Sequence, residues 1–463
     1  MYKIIHFIGI GGIGISAIAR YYAGEGAIVS GSDIADSELI QSLRDEGMNI
    51  HIGHDASNVP SDTDLVIYTI AIDYENNVEY IEARSRHELA LLSYPQALAE
   101  LTQSKKTIAI CGTHGKTTTT ALTYYALCGA GLHPNLIVGS LIDHEGKKTN
   151  YIKGENEKNY GGNDEEYLII EACEYRKSFL NYNPTYILVT NIEEDHLDYY
   201  KDIDDIRNAF REFVYRLPLR GKVIIHEAEK DVFLSDPQTK NKIQIAEDIV
   251  NKDEIKLTVI GEHNKSNAQL VVALAHLLTR ENLSQIVDQN IASQNIKNTF
   301  LENIKKGLKR FLGTWRRMEY RGYGPNGALI YDDYAHHPTE IRATLNAIKG
   351  HYADYKIVLV FQPHLQSRTA AFYEDFISAV SLADIVYVLP VYHARAETDL
   401  GMSNYKMVAS IIDLARSEGK YKETYTLDFA HAYKELAKYD KTHIVVTMGA
   451  GQNNLIADEL VKE

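Results

Sequence analysis

Gly112-Thr113-His114-Gly115-Lys116-Thr117-Thr118-Thr119-Thr120 lies between an apolar, β-branched run, Thr107-Ile108-Ala109-Ile110-Cys111, and the helically spaced Ala121-Leu122-Thr123-Tyr124-Tyr125-Ala126-Leu127. Composition and period predict a buried strand, a glycine turn and a helix. A glycine turn in that setting that ends in Gly-Lys-Thr is a phosphate-binding loop, although its glycines stand closer together than in the common pattern. Glycine lets the backbone approach phosphate oxygens, and the helix N-terminus offers unpaired N–H groups at the positive end of its dipole. Lys116 adds a full charge for the outer phosphates, and the Thr117 hydroxyl is placed to hold Mg²⁺. Gly112, Thr113, His114, Gly115 and Thr118 complete the predicted nucleoside-triphosphate contacts of the loop.

A second glycine loop precedes it. The strand-like Lys3 to Ile8 runs into Gly9-Ile10-Gly11-Gly12-Ile13-Gly14 and then a helical stretch. Another strand, from Ala27, ends at Gly31-Ser32-Asp33, with Asp33 about 20 residues after the last glycine, as in dinucleotide-type βαβ units. A diphosphate is therefore expected at Gly9, Gly11, Gly12, Ile13 and Gly14, with Ser32 and Asp33 beside it. Whether that diphosphate belongs to NAD, FAD or a UDP-sugar is not contained in the motif.

The chain of 463 residues is long enough for roughly three domains of ~150 residues. Its 45% hydrophobic and 24% charged content are those of a globular protein. A net charge of −15 with no basic stripe argues against a nucleic-acid partner. Three scattered cysteines make neither a disulfide framework nor a zinc cluster, which suits a reducing cytoplasm. Glycines interrupt the apolar N-terminal run, so it reads as folded protein and not as a secretion signal or membrane span.

Alternating strands and helices continue to a polar hinge at Gln103-Ser104-Lys105-Lys106 and, later, to a second hinge near Gly313-Thr314-Trp315. The expected organisation is α/β throughout. Residues 1–104 form an N-terminal Rossmann-like domain, 105–313 a central P-loop ATPase-type domain, and 314–463 a C-terminal Rossmann-like domain. Residues 143–166 read as a surface excursion, and 227–256 carry little pattern. Polar clusters follow apolar strands at Glu171-Ala172-Cys173-Glu174 and at Asn191 to Asp198, where open α/β sheets place their ligands.

These stretches, taken in order with His263–Ala268, Arg316-Arg317-Met318-Glu319, Asp332–Pro338 and Gln362–Thr369, resemble the Mur ligase family along almost the whole chain. The resemblance implies a UDP-sugar domain, an ATPase domain and an amino-acid domain. Its implied reaction is ATP-dependent amide formation: the lactyl carboxylate of UDP-N-acetylmuramate becomes an acyl phosphate, which the amine of L-alanine attacks. It further implies Mg²⁺ held by Thr117, Glu171 and His196, with Lys116, Glu171, His196, His336 and His364 at the reaction centre. Asn264 with His263 is implied to contact adenine, and Arg317 to reach the ATP phosphates. Asp332 or Asp333 is implied to hold the ribose. Tyr334, His336, His364 and Arg368 fall in the amino-acid motifs, and Arg368 suits a carboxylate because its fork binds one bidentately. Either His336 or His364 can take the amine proton, and nothing in the residues chooses between them. Arg316 reads as surface charge and His337, before Pro338, as structural.

Leu365 stands where some members carry arginine, and Gln452 where an acid usually follows Gly-Ala-Gly. A sister ligase that adds a tripeptide or another amino acid is the first rival. An NAD-dependent oxidoreductase is the second, and it leaves Lys116, Glu171 and the third domain without a role. The protein is expected to be cytoplasmic, without a membrane partner, as a monomer or homodimer.

Overall fold

A computed structural model describes residues 2–155, 166–284, 291–393 and 398–462. It contains three sheets, each built mainly from short, buried, β-branched strands of the kind that helices cover on both faces. The three-domain α/β architecture is as the sequence predicts.

The first sheet comprises β1 (Ile4–Ile8), β2 (Ile28–Asp33), β3 (Asn49–Ile52), β4 (Leu65–Tyr68) and β5 (Ala90–Ser93), all parallel, in the order β3-β2-β1-β4-β5. The chain direction across the sheet reverses at β1, so the turn after β1 opens into the crevice where such sheets bind ligands. That turn is Gly9–Gly12, and the helix Ile13–Gly24 follows it. Strand β5 was not anticipated, because Ala90–Ser93 is only half-buried and shows no alternation.

The second sheet holds β6 (Lys106–Cys111), β7 (Asn135–His144), β8 (Lys147–Ile152), β9 (Tyr167–Glu171), β10 (Tyr186–Val189), β11 (Lys222–Ile225) and β12 (Ile243–Ile245), in the order β12-β11-β10-β6-β9-β7-β8. β6 lies in the middle, between β10 and β9, with the phosphate loop at its carboxyl end. One expectation needs correcting here. The predicted excursion from residue 143 contains β8, an antiparallel partner of β7; its residues 156–165 lie outside the described residues. β8 is held because fully buried Asn150 donates to Ile13 O and Ser16 Oγ of the first helix and accepts from Arg20. The polar stretch Gln103–Lys106 lies where the chain passes from the first sheet to the second. The helix Tyr94–Ser104 runs through it almost to β6, started by Pro95 and a Ser93–Gln96 capping box.

The third sheet contains β13 (Glu319–Tyr323), β14 (Leu329–Asp333), β15 (Lys356–Phe361), β16 (Ile385–Val388), β17 (Glu423–Thr426) and β18 (His443–Met448), in the order β13-β14-β18-β15-β16-β17. Only β13 is antiparallel to its neighbour.

The chain separates into two compact units. One comprises Met1–Glu194, Asp202–Lys256 and Asn267–Phe311; the other comprises Asp195–Lys201, Leu257–Ser266 and Leu312–Glu463. Two short segments that sequence reading assigns to the central domain, 195–201 and 257–266, thus pack with the C-terminal residues. No helix among the described residues is long and apolar enough to cross a membrane.

Candidate active site

In the first unit, Gly112 and Gly115 have φ of +133° and +81°, a region that disfavours any residue with a Cβ. A methyl group on Gly112 would fall 2.0 Å from Thr190 Oγ1, and one on Gly115 would fall 2.8 Å from Asn267 Oδ1. The loop is fastened to the carboxyl end of β10. His114 N–H donates to Asn191 Oδ1 (2.9 Å), Thr113 N–H donates to Asn191 O (3.0 Å), and Asn191 Nδ2 donates to His114 O (3.1 Å). Asn191 is therefore a clamp on the loop, a role its motif did not disclose.

The helix Lys116–Gly129 begins on Gly115 with no side-chain cap, so its first N–H groups are not capped by a side chain. Thr117 and Thr118 sit in its first turn, both buried. Lys116 curls back over the loop, with Nζ donating to Gly112 O (2.6 Å), Thr113 O (3.0 Å) and the Glu174 carboxylate (3.0 Å). Burial alone would lower the ammonium pKa; Glu174, aided by Cys173 and Glu171, outweighs burial and raises it, so Lys116 stays charged. Glu171 ends β9 beside the loop strand, and its Oε2 accepts from Gly139 N–H at 3.0 Å. A methyl on Gly139 would lie 2.5 Å from that oxygen. Gly139 makes room for the carboxylate, and no sequence signal marked it.

A helix N-terminus, a charged lysine, a buried threonine and a carboxylate on the adjacent strand form a donor set suited to a nucleoside triphosphate with Mg²⁺, a cation that takes few protein ligands.

Around the first glycine loop, Gly9 has φ of +77°, and a methyl there would meet Thr69 Cγ2 at 2.4 Å. Gly11 N–H donates to Asp33 Oδ2 (2.8 Å) and Ile34 N–H to Asp33 Oδ1 (2.8 Å), so Asp33 braces the turn with both oxygens. Gly12 caps the helix, with Ile13 and Gly14 in its first turn. Ser32 requires a correction. It is completely buried and its hydroxyl donates to the fully buried Glu79 carboxylate, so it supports the turn and does not face a ligand. Burial would raise Glu79, but hydrogen bonds from His6, Ser32 and Asn58 bring it down to about 2.

The second unit gathers the remaining predicted residues. Asp195 Oδ1 accepts from Arg368 at 2.9 Å, and Arg368 also lies 3.3 Å from His364 Nδ1. The His336 ring is 5.7 Å from His364 and 5.3 Å from Tyr334. Burial pushes the His336 pKa down to about 3, against the pull of Glu340. His336 Nδ1 lies 2.9 Å from Tyr334 O, a carbonyl that only accepts, so the neutral ring carries its proton there and leaves Nε2 as the basic nitrogen. His196, whose φ is +53°, follows Asp195 and donates its N–H to Asp195 Oδ1 (2.7 Å). Of the three predicted metal ligands, Thr117 and Glu171 belong to the first unit and His196 to the second.

Arg316 is not surface charge. It is 4% exposed, and its guanidinium fans onto Asp332 Oδ2 (2.9 Å), Gly451 O (2.9 Å), Gly449 O (2.6 Å) and Asn453 Oδ1 (3.1 Å). Asp332 is fully buried; Oδ2 serves Arg316 and Oδ1 accepts from Thr447 at 2.6 Å. Both oxygens are therefore engaged inside the fold, which corrects the expectation that Asp332 holds a ribose. Asp333 is also buried, and burial pushes its carboxyl up to about 6. Arg317 lies against Glu340 (3.7 Å) and the Tyr334 ring (5.2 Å), and is less buried than Arg316. Asn264 lies inside the first turn of the helix Glu262–Ser284 and donates to Ile260 O (2.7 Å), beside His263, whose pKa burial lowers. His337 caps the helix Pro338–His351 as a structural residue.

Three family models match in sequence order. They are the Mur ligase family catalytic domain over residues 4–106, the Mur ligase middle domain over 110–249, and the Mur ligase glutamate ligase domain over 316–451. The chain is 35% identical to the UDP-N-acetylmuramate–L-alanine ligase of Agathobacter rectalis, covering 100% of both chains. It is 36% identical to the enzyme of that name from Caldicellulosiruptor bescii, covering 99% of this chain and 98% of the other. Among solved structures, the UDP-N-acetylmuramate–alanine ligase of Thermotoga maritima superposes with a TM-score of 0.75 at 28% identity, over 100% of this chain and 98% of that one. A murein peptide ligase from Psychrobacter arcticus, at 22% identity and a TM-score of 0.66, covers 99% of this chain and 98% of its own and shares the fold.

Proposed function

The chain belongs to the Mur ligase family, and from that premise we propose that it joins L-alanine to the lactyl carboxylate of UDP-N-acetylmuramate, driven by ATP. The observation that carries this reading is the intact phosphate loop, with Lys116 charged between Glu174 and the loop carbonyls, in a chain similar over its full length to ligases of that name.

Lys116 and the first N–H groups of its helix neutralise the phosphates, so that the anionic carboxylate can attack the γ-phosphorus and displace ADP to form an acyl phosphate, from whose carbonyl the amine of L-alanine then displaces inorganic phosphate. Thr117 and Glu171 would hold Mg²⁺, with His196 as the second-metal ligand; Mg²⁺ supplies further charge neutralisation when bound. Catalysis on this reading is positioning and electrostatics, with no covalent enzyme intermediate. His263, Asn264 and Arg317 serve the nucleotide. In the amino-acid site, Arg368 keeps donors beyond those used by Asp195 and His364, because a guanidinium has five, and these bind the α-carboxylate of L-alanine. His336 or His364 takes the amine proton; in the neutral His336 ring the acceptor is Nε2, and Arg368 lies against His364 Nδ1. The UDP-sugar lies on Gly9–Gly14, and the reaction takes place in the cytoplasm as a step of peptidoglycan precursor synthesis, by a monomer or homodimer.

The test is phosphate release from ATP with UDP-N-acetylmuramate and single amino acids. L-alanine is expected to stimulate it. Stimulation by a tripeptide and not by L-alanine would move the protein to the sister ligases. NADH binding, with no stabilisation by UDP-N-acetylmuramate, would make it an oxidoreductase.

A further inference from the structure

Tyr94 is the first residue of the helix Tyr94–Ser104 and directly follows β5. Its place is set by the pairing of Ser93 with Tyr68 of β4, and by the Ser93 N–H, which donates to Gln96 Oε1 at 2.9 Å. β5 is two strands from β1, yet the phenol reaches back to the first turn of the helix that follows the Gly9–Gly12 loop. A methyl on Gly14 would lie 2.8 Å from both Oη and Cζ of Tyr94. The hydrogen of Gly14 is what admits the phenol there.

The helix that Tyr94 begins packs against Tyr175–Asn181, the segment that follows Glu171 and Cys173 in the chain. A phenol's ordinary pKa is about 10, so the Tyr94 hydroxyl is a protonated donor at neutral pH. Among the described residues that donor has no hydrogen-bond partner, and Tyr94 itself is half-buried, so the hydroxyl is within reach of a ligand.

We propose that the Tyr94 hydroxyl is a substrate-positioning donor, which binds an oxygen of the lactyl carboxylate between the first glycine loop and Glu171. This rests on the function proposed above. A protonated phenol suits either anion of the UDP-sugar. The diphosphate is served by the Gly9–Gly12 turn, whereas the carboxylate has to travel toward the ATP loop, and the helix of Tyr94 packs on the segment that follows Glu171 beside that loop.

The experiment compares full-length wild type and Tyr94→Phe by calorimetric titration with UDP-N-acetylmuramate and with UDP-N-acetylglucosamine, which shares the nucleotide and lacks the lactyl carboxylate. Loss of a hydrogen bond to a charged group should weaken UDP-N-acetylmuramate roughly 10- to 100-fold. UDP-N-acetylglucosamine affinity, which also reports that the variant is folded, should be unchanged, as should the KM for ATP. Equal weakening of both ligands would assign the hydroxyl to the diphosphate and overturn the proposal. Unchanged affinity for both would overturn it while wild-type turnover with L-alanine upheld the function. A wild type that binds UDP-N-acetylmuramate without L-alanine-dependent phosphate release would overturn the function, and the titration would still decide Tyr94.

Discussion

Asp195 and Arg368, 173 residues apart in the chain, form a 2.9 Å ion pair whose side chains are only 8% and 9% exposed. Burial would raise the Asp195 carboxyl, but Arg368, with His196, His336 and the His196 N–H, outweighs it and holds the carboxyl well below the usual range. Arg368→Ala leaves a buried carboxylate uncompensated and should cost about 3–5 kcal/mol in urea unfolding. It should also raise the KM for L-alanine far more than that for ATP. An equal rise in both would remove Arg368 from carboxylate binding. Because the folded pKa is depressed, the pair's contribution is complete above the unfolded carboxyl value of ~3.9 and fades as pH falls through the folded one. The stability gap between wild type and Asp195→Asn should therefore close below pH ~4.

Lys116 is the one cation that touches the phosphate loop carbonyls and Glu174 together among the described residues. Lys116→Ala should lower phosphate release at least ~10²-fold, the usual loss when a single charge-stabilising donor is removed. Near-normal ATP turnover in the variant would take the loop out of the chemistry.

His336 gives a pH signature. Its folded pKa of about 3 lies below an unfolded value near 6.5, so the unfolded chain binds a proton in that window that the folded protein does not. Stability linked to His336 is full above pH ~6.5 and is lost as pH falls toward 3. Between pH 6.5 and 5 the wild type should lose up to ~1.4 kcal/mol per pH unit more than His336→Asn. Parallel slopes would mean that the imidazole is not held neutral.

Arg316→Ala should destabilise by about 3–5 kcal/mol, because it strands Asp332 without a cation. Arg316→Lys should recover little of this, since an ammonium cannot reach four acceptors spread around a planar fork. Full recovery of the unfolding midpoint by lysine would show that charge alone matters there.

Both glycine loops were legible because their signals are local: a β-branched run, glycines at positions of positive φ, and a helical period that starts at once. Glu171 and Arg368 were legible through the family resemblance, which their motifs carry, and not from strand patterning alone. Arg316 and Arg317 were not distinguishable, since adjacent arginines differ only in which side of the chain turns inward. Gly139 and Tyr94 carried no signal at all, because each matters only through a partner that another strand brings up, Glu171 in one case and Gly14 in the other.

The sequence by itself determined most of the order of strands and helices, the two glycine turns at helix N-termini and the family to which the chain belongs. These follow from backbone sterics and hydrophobic period, which act over a few residues. Only the tertiary structure decided that Asp195 partners Arg368, that Arg316 and Asp332 are buried together, and that Ser32 supports the turn from beneath. Each of those depends on a charge or hydroxyl that must be matched once it is removed from water. The partner is whatever the folded chain brings within about 3 Å, which spacing along the sequence does not encode.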